Sequence, residues 1–243
     1  MRGQPLHLLD TPDIELRPAR LLRARGNADA RVLARAQHLL RRKRDGRYLA
    51  AAVPEGIVPL LPRWTHDVDA DAALDALALR SERGIDIDTL GCLPLDRLLD
   101  RLHALGLDEG YGERVGLGLV PEPAALAFAG FDRYRRPLWL TADAARAWDA
   151  MRRAAARDGV VLEAISGYRS HDYQLGIFER KLARGQTVEQ ILTVNAAPGY
   201  SEHHGGDALD IGTPGEPPAQ ESFEPTAAFA WLRGHAGAFG FAM

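Results

Sequence analysis

From Thr141 onward the chain alternates helix and strand signals without a regular strand–helix repeat, and this mixture constrains the fold most. Thr141 is placed to cap a helix over 142–157, which Asp158-Gly159 closes. Ala145, Trp148, Met151 and Ala155 give that helix one apolar face. Val160 to Ile165 reads as a strand, and residues 171–184 as a helix ended by Gly185. Thr187-Val188-Glu189-Gln190 resembles a capping box that opens a short helix to about 194. Ala197-Pro198-Gly199 forces a turn, Ala208–Ile211 is a short strand, and 225–236 is a helix. A doubly wound sheet would need strict alternation. The expected class is therefore α+β.

The first half reads differently. Residues 29–44 predict a helix, because Val32, Leu33, Ala36, Leu39 and Leu40 fall at helical spacing. Residues 17–47 carry eleven arginines and lysines against only Asp29 and Asp45. Such a helix could dock on an anionic surface. The simpler reading is a solvated face balanced by the acidic bias of residues 67–109, from Asp67 to Asp88. Helices are also expected over 69–80 and 94–105, the second with Leu95, Leu98, Leu99, Leu102 and Leu105 on one stripe. His103 beside that stripe has no companion at metal spacing and reads as structural. The glycine-rich run 110–118 is the best boundary or hinge. The expected division is a mainly helical region over 1–115, of unknown role, and a second domain over 116–243.

Composition excludes some chemistry. With 46% hydrophobic and 26% charged residues and a net charge of −3, the chain is an ordinary globular one and nothing points to nucleic acid. The single cysteine, Cys92, excludes a disulfide within the chain and a Cys-rich zinc site. Its apolar neighbours predict a small buried residue. Any metal must be held by His and carboxylates. No run approaches the ~18 apolar residues of a membrane span. Met1 to Leu6 lacks the apolar stretch of a secretory signal, so a cytoplasmic location is expected.

The most chemical segment is Ser201-Glu202-His203-His204-Gly205-Gly206-Asp207-Ala208-Leu209-Asp210. His203 and Asp210 lie seven residues apart, and in one straight strand they would face opposite sides. Gly205-Gly206 permits the turn that brings them together. In the strand that follows, Ala208 and Asp210 share one face while Leu209 and Ile211 anchor the other. A lone His and Asp at this spacing are weak evidence for a metal. The full pattern Ser-x-His-x-x-Gly-x-Ala-x-Asp resembles the first zinc motif of the LAS metallopeptidases. Upstream, Ser166-Gly167-Tyr168-Arg169-Ser170 followed by Tyr173-Gln174 is similar to the signature of the VanY-like D-alanyl-D-alanine carboxypeptidases. The similarity runs from about Gly130 to the last residue, and residues 1–115 show none that can be named.

The resemblance implies a small antiparallel sheet with helices packed around it, and a zinc carboxypeptidase cleaving the C-terminal D-alanine of peptidoglycan peptides or precursors, with His203 and Asp210 as zinc ligands. It implies that Arg169 steadies the scissile carbonyl, and that Gln174 and Ser201 sit near the substrate. His204 matches no ligand position and reads as a residue that supports a ligand from behind or faces solvent. The family's second motif, Glu-x-Trp-His, supplies the general base and third ligand, and it does not occur in the 243 residues. A longer polypeptide, a degenerate homologue that only binds its peptide, or completion by His235 or a partner chain would each account for this. The 243 residues alone are expected to show little peptidase activity.

Overall fold

The computed structural model describes residues 6–62, 64, 69–81 and 90–243. Asp67, Glu82, Asp86 and Asp88 of the acidic stretch lie outside them. The first half holds β1 (His7–Asp10), β2 (Ile14–Pro18), α1 (Asn27–Leu33), β3 (His38–Arg42), β4 (Tyr48–Val53), β5 (Gly56–Pro59), α2 (Ala70–Ser81), α3 (Asp96–Ala104) and α4 (Tyr111–Val115). The second half holds β6 (Ala125–Phe131), β7 (Pro137–Leu140), α5 (Ala142–Arg157), β8 (Glu163–Ser166), α6 (His171–Leu182), α7 (Val188–Leu192), β9 (Asp210–Gly212) and α8 (Ala227–His235).

The class is α+β, as the mixed signals predict. The sheet is larger than expected. Among the described residues, seven antiparallel strands run in the order β5-β4-β3-β2-β1-β6-β7, and β8 and β9 form a separate pair. Strand β1 pairs with β2 on one side and with β6 on the other, so one sheet draws strands from both sides of residue 115.

The mainly helical reading of residues 1–115 is corrected, because five strands precede α2. The helix expected over 29–44 stops at Leu33, and His38–Arg42 is a strand. The physical reason lies in Leu39 and Leu40. Leu39 packs with Ala19 and Ala51 on one face, while Leu40 packs with Ile14, Leu16 and Leu49 on the other. A strand covered on both faces reads as a continuous apolar run, and a short run of that kind mimics a helical stripe. Cys92 is also exposed rather than buried.

Part of the basic excess is absorbed by ion pairs on and beside this sheet. Arg17 and Arg41 reach the Glu15 carboxylate at 2.7 and 2.8 Å, and Arg42 and Arg44 reach Asp69 at 3.4 and 3.1 Å. The acidic bias therefore meets the basic one at Asp69, and the helix that would dock on an anionic surface is not formed. Burial alone would raise the Glu15 carboxyl, but Arg17 and Arg41 outweigh it and hold it at about 2, against an ordinary 4.5. A depressed carboxylate contributes stability that is present above the unfolded value and lost as pH falls through the folded one. Glu15 should thus contribute on the order of 3 kcal/mol near neutrality. Glu15→Gln is expected to lower stability at pH 7 and to flatten its pH dependence between 4.5 and about 2. Urea titrations across that window measure this, and an unchanged acid limb would refute it.

The second core lies under α5. Trp148, Met151 and Ala155 pack against Leu138 and Leu140 of β7, Ala164 of β8, and Trp231 and Leu232 of α8. Thr141 caps α5 by accepting from the Ala144 amide at 3.3 Å, as its sequence position predicts. The Thr187–Gln190 capping box of α7 is formed in both directions. These elements fix the ends of β7, β8 and β9, from which the polar residues of the next section project.

Candidate metal and peptide site

Strand β8 ends at Ser166, which pairs in register with Asp210 of β9 and donates its hydroxyl hydrogen to Asp210 Oδ2. Between β8 and α6 runs Gly167-Tyr168-Arg169-Ser170, and Ser170 caps α6 by accepting from the Tyr173 amide. Facing this loop is the 3-10 turn Glu202–Gly205. Gly206 follows it at φ +78°, and its carbonyl accepts from the Thr141 amide at the start of α5 at 2.9 Å. A Cβ at Gly206 would lie 2.6 Å from Leu126 Cδ2, so space as well as backbone conformation demands glycine there.

This turn brings His203 and Asp210 together. The His203 ring is buried, with its Nδ1–H donating to the Gly167 carbonyl at 2.8 Å. That bond leaves Nε2 facing Asp210 Oδ1 at 3.3 Å. Asp210 is half exposed. Its partial burial works against ionisation. The hydrogen bonds from His203 and Ser166 and the nearby charges of His203 and Arg169 win, bringing the carboxyl to about 2. It is an anion at any physiological pH. Leu209 and Ile211, on the opposite face, pack against the second core as expected.

Arg169 joins the same cluster. Its amide donates to the His203 carbonyl at 3.1 Å, and its Nη2 lies 3.6 Å from Asp210 Oδ2. Its Nε is buried and meets no acceptor among the described residues. A buried donor left open is an expensive arrangement unless a ligand completes it. Gln174 and Ser201 lie beside the cluster. Gln174 is buried in α6 and donates from Nε2 to the Ala196 carbonyl at 2.8 Å, while its Oε1 finds no partner among the described residues. Ser201 precedes the 3-10 turn, and its carbonyl accepts from the His204 amide.

His204 is wholly buried. Its Nε2 accepts from the Gly199 amide at 3.1 Å and its Nδ1–H donates to the Arg169 carbonyl at 2.6 Å. Burial, reinforced by the neighbouring His171, lowers its pKa to about 3, so the ring is neutral. The solvent-exposed alternative is thereby excluded, and His204 locks the Arg169 backbone from behind. His235 is not brought to the pair. It is exposed, stacks on Trp231 at 4.5 Å and bonds the Trp231 carbonyl. Among the described residues, no group of three His, Cys, Asp or Glu converges as a metal cage.

A polar cluster that the sequence reading missed lies under the loop. Lys43 Nζ sits 3.0 Å from Asp10 and also bonds Glu122, with all three side chains buried. The Tyr168 hydroxyl donates to Asp10 Oδ2, and the His171 amide donates to Glu122 Oε1. One ammonium faces two carboxylates here. Burial raises the Asp10 carboxyl to about 7, although Lys43 and the Tyr168 hydroxyl favour its charge. A usable signal was Asp10 directly after Leu8-Leu9, since a carboxylate ending an apolar strand needs a buried partner.

Residues 137–243 match the VanY family model, described as D-alanyl-D-alanine carboxypeptidase. The C-terminal segment is VanY-like. Carboxypeptidase YodJ of Bacillus subtilis strain 168 is 34% identical over 113 residues, which is 46% of this chain and 41% of that protein. The chain thus spans under half the length of this curated relative. Among solved structures, the LD-carboxypeptidase LdcB is 34% identical, covering 42% of this chain and 48% of that one, with a TM-score of 0.40. VanYB in complex with D-alanine-D-alanine is 26% identical, covering 43% and 60%, with a TM-score of 0.34. A D,D-pentapeptidase VanY from a VanB-type cassette, in complex with Zn(II), is 27% identical over 42% and 60%, at 0.33. The VanY-like segment contains Arg169, Gln174, Ser201, His203 and Asp210, whereas Asp10, Lys43 and Glu122 lie outside it.

Proposed function

We propose that this chain is a zinc-dependent D,D-carboxypeptidase-like hydrolase for peptidoglycan peptides or their precursors, with His203 and Asp210 as metal ligands. The observation that carries this reading is the His203–Asp210 pair. Ligands about 2.0–2.2 Å from a tetrahedral metal stand roughly 3.3 Å from each other. The 3.3 Å between His203 Nε2 and Asp210 Oδ1 fits that spacing. The Gly167 carbonyl holds the proton of His203 on Nδ1, which keeps the Nε2 lone pair available for a metal. Bound zinc would act as a Lewis acid and lower the pKa of a bound water.

The protein's own groups do the rest. Asp210 supplies fixed negative charge beside Nε2. Arg169 offers an unsatisfied Nε–H to the peptide, where it would hold a carbonyl as negative charge develops on it. Gln174, whose buried Oε1 lacks a partner among the described residues, and Ser201, which precedes the 3-10 turn, are the further groups the resemblance puts near the peptide. A second reading is a binding module that keeps the peptide groove without the chemistry. It is favoured by the absence, among the described residues, of a third ligand converging on His203 and Asp210.

Calorimetric titration of the 243-residue chain with D-alanyl-D-alanine, alongside L-alanyl-L-alanine, tests the peptide half. The expected result is selective binding that weakens about tenfold or more in Arg169→Met, since a hydrogen bond to a charged group contributes ~1.5–3 kcal/mol. Equal affinity for both dipeptides, or for both proteins, would overturn it.

A further inference from the structure

We propose that Lys43, Asp10 and Glu122 form a buried bracket that positions Arg169, so that the first half of the chain completes the site carried by the VanY-like segment. The inference rests on the peptide-binding reading only for the role of Arg169.

The bracket closes on itself. Lys43 Nζ binds the Asp10 carboxylate on one side and the Glu122 carboxylate on the other. Asp10 then takes the hydroxyl hydrogen of Tyr168, and Glu122 takes the backbone amide of His171. Tyr168 and His171 flank Arg169-Ser170, so the short segment that aims the guanidinium is held at both ends from one ammonium. The Lys43 ammonium is also tied to the Thr11 carbonyl at 3.1 Å, which fixes it to the turn after β1. The His171 ring is held to the Val120 carbonyl at 2.8 Å and meets the His204 ring edge-on at 4.5 Å. His204 in turn bonds the Arg169 carbonyl. Three anchors of the segment, at the Tyr168 hydroxyl, the His171 amide and the His171 ring, therefore trace to residues before 137, beside those that Trp139 and His204 supply from within the VanY-like segment.

Burying an ammonium with two carboxylates is costly, and it is weak evidence for stability as such. Its geometric consequence is rigidity in the one loop where Arg169 keeps an open donor. Groups that orient a functional residue typically change affinity or activity 10–100-fold when altered. Lys43, Asp10 and Glu122 are thus positioning residues, acting through Tyr168 and His171.

The test uses the full 243-residue chain. Tyr168→Phe deletes only the hydroxyl at one end of the bracket, and Glu122→Gln weakens the other. Trp231→Phe serves as control, because it deletes the part-buried bond from Trp231 Nε1 to Asp158 and trims a core ring, both far from the loop in sequence. The first readout is amide hydrogen exchange by NMR at Tyr168, Arg169 and His171, whose amides are all bonded. Both bracket variants are expected to exchange about tenfold faster there than the control at matched global stability. The second readout is D-alanyl-D-alanine affinity, expected to fall about tenfold in Tyr168→Phe but to show little further loss on top of Arg169→Met. Exchange no faster than in the control would overturn the proposal. So would faster exchange with undiminished dipeptide affinity, because the loop would then be held without aiming Arg169. If the unaltered chain binds no dipeptide while exchange responds as expected, and the Arg169 Nε–Hε resonance shifts in both bracket variants, the bracket stands and the peptide reading falls. An unmoved resonance in that case would overturn the bracket.

Discussion

His203→Ala is expected to weaken zinc binding by about 100-fold, taking a full structural site as ~12 kcal/mol shared among four ligands. The prediction follows from the two nitrogens of one ring. Nδ1–H is committed to the Gly167 carbonyl, so Nε2 is the ring atom that faces Asp210, and a metal would take it in place of the proton it shares with that carboxylate. The adjacent histidine makes a sharp control. Both His204 nitrogens are already used, one by the Gly199 amide and one by the Arg169 carbonyl. His204→Ala should therefore cost stability while leaving the stoichiometry of zinc bound per folded chain unchanged. Competition against a chromophoric chelator measures both. Equal losses in the two variants would remove His203 as a ligand. The same reasoning predicts little release of D-alanine from a cell-wall pentapeptide by the 243-residue chain, since two protein ligands hold zinc weakly. Robust zinc-dependent release by that polypeptide would contradict this.

Lys43→Met should be the most damaging single change to the fold. It removes the cation from two buried carboxylates, and breaking a buried pair by deleting one partner costs about 3–5 kcal/mol. The sign with pH can be stated. Asp10 already has a folded pKa of about 7 against an ordinary 3.8, so its contribution to stability is fully present below 3.8 and lost as pH rises through 7. Without Lys43 the neighbouring carboxylates Glu122 and Glu15 push the Asp10 carboxyl further up. The deficit of Lys43→Met should accordingly be larger at pH 8 than at pH 5, and Asp10→Asn in the same background should recover part of it. Denaturant titrations at the two pH values decide the matter. A loss that is the same at both would mean that packing, not charge, is what Lys43 contributes.

Much of the second half was legible because local chemistry determines it. Thr141 and the Thr187–Gln190 box announce their helices through side-chain caps, which depend on neighbours in sequence. The His203–Asp210 approach was legible because only a turn can unite an odd spacing, and Gly206 supplies the positive φ. The first half obeys longer-range rules. Leu39 and Leu40 look like a helical pair until Ala51 and Leu16 are known to cover opposite faces. Arg17 and Arg41 look solvated until Glu15 is found between them. Lys43 was counted among surface charges, because nothing near it in sequence shows that Asp10 and Glu122 will surround it. Charges paired across the sheet leave no periodic trace, which is why the bracket was invisible and the approach of His203 to Asp210 was not.

Strand β1 sits between β2, its near neighbour, and β6, which begins at Ala125. During synthesis the β1–β5 meander can form early, but β1 must wait with one edge unpaired until Ala125–Phe131 has been made. The bond from Tyr168 to Asp10 closes later still, across a separation of 158 residues. Such distant contacts carry the highest loop-closure cost and slow folding. The site loop is therefore assembled near the end of folding, on a platform made at the beginning, so an early defect in β1 would surface as a late failure of the loop that carries Arg169.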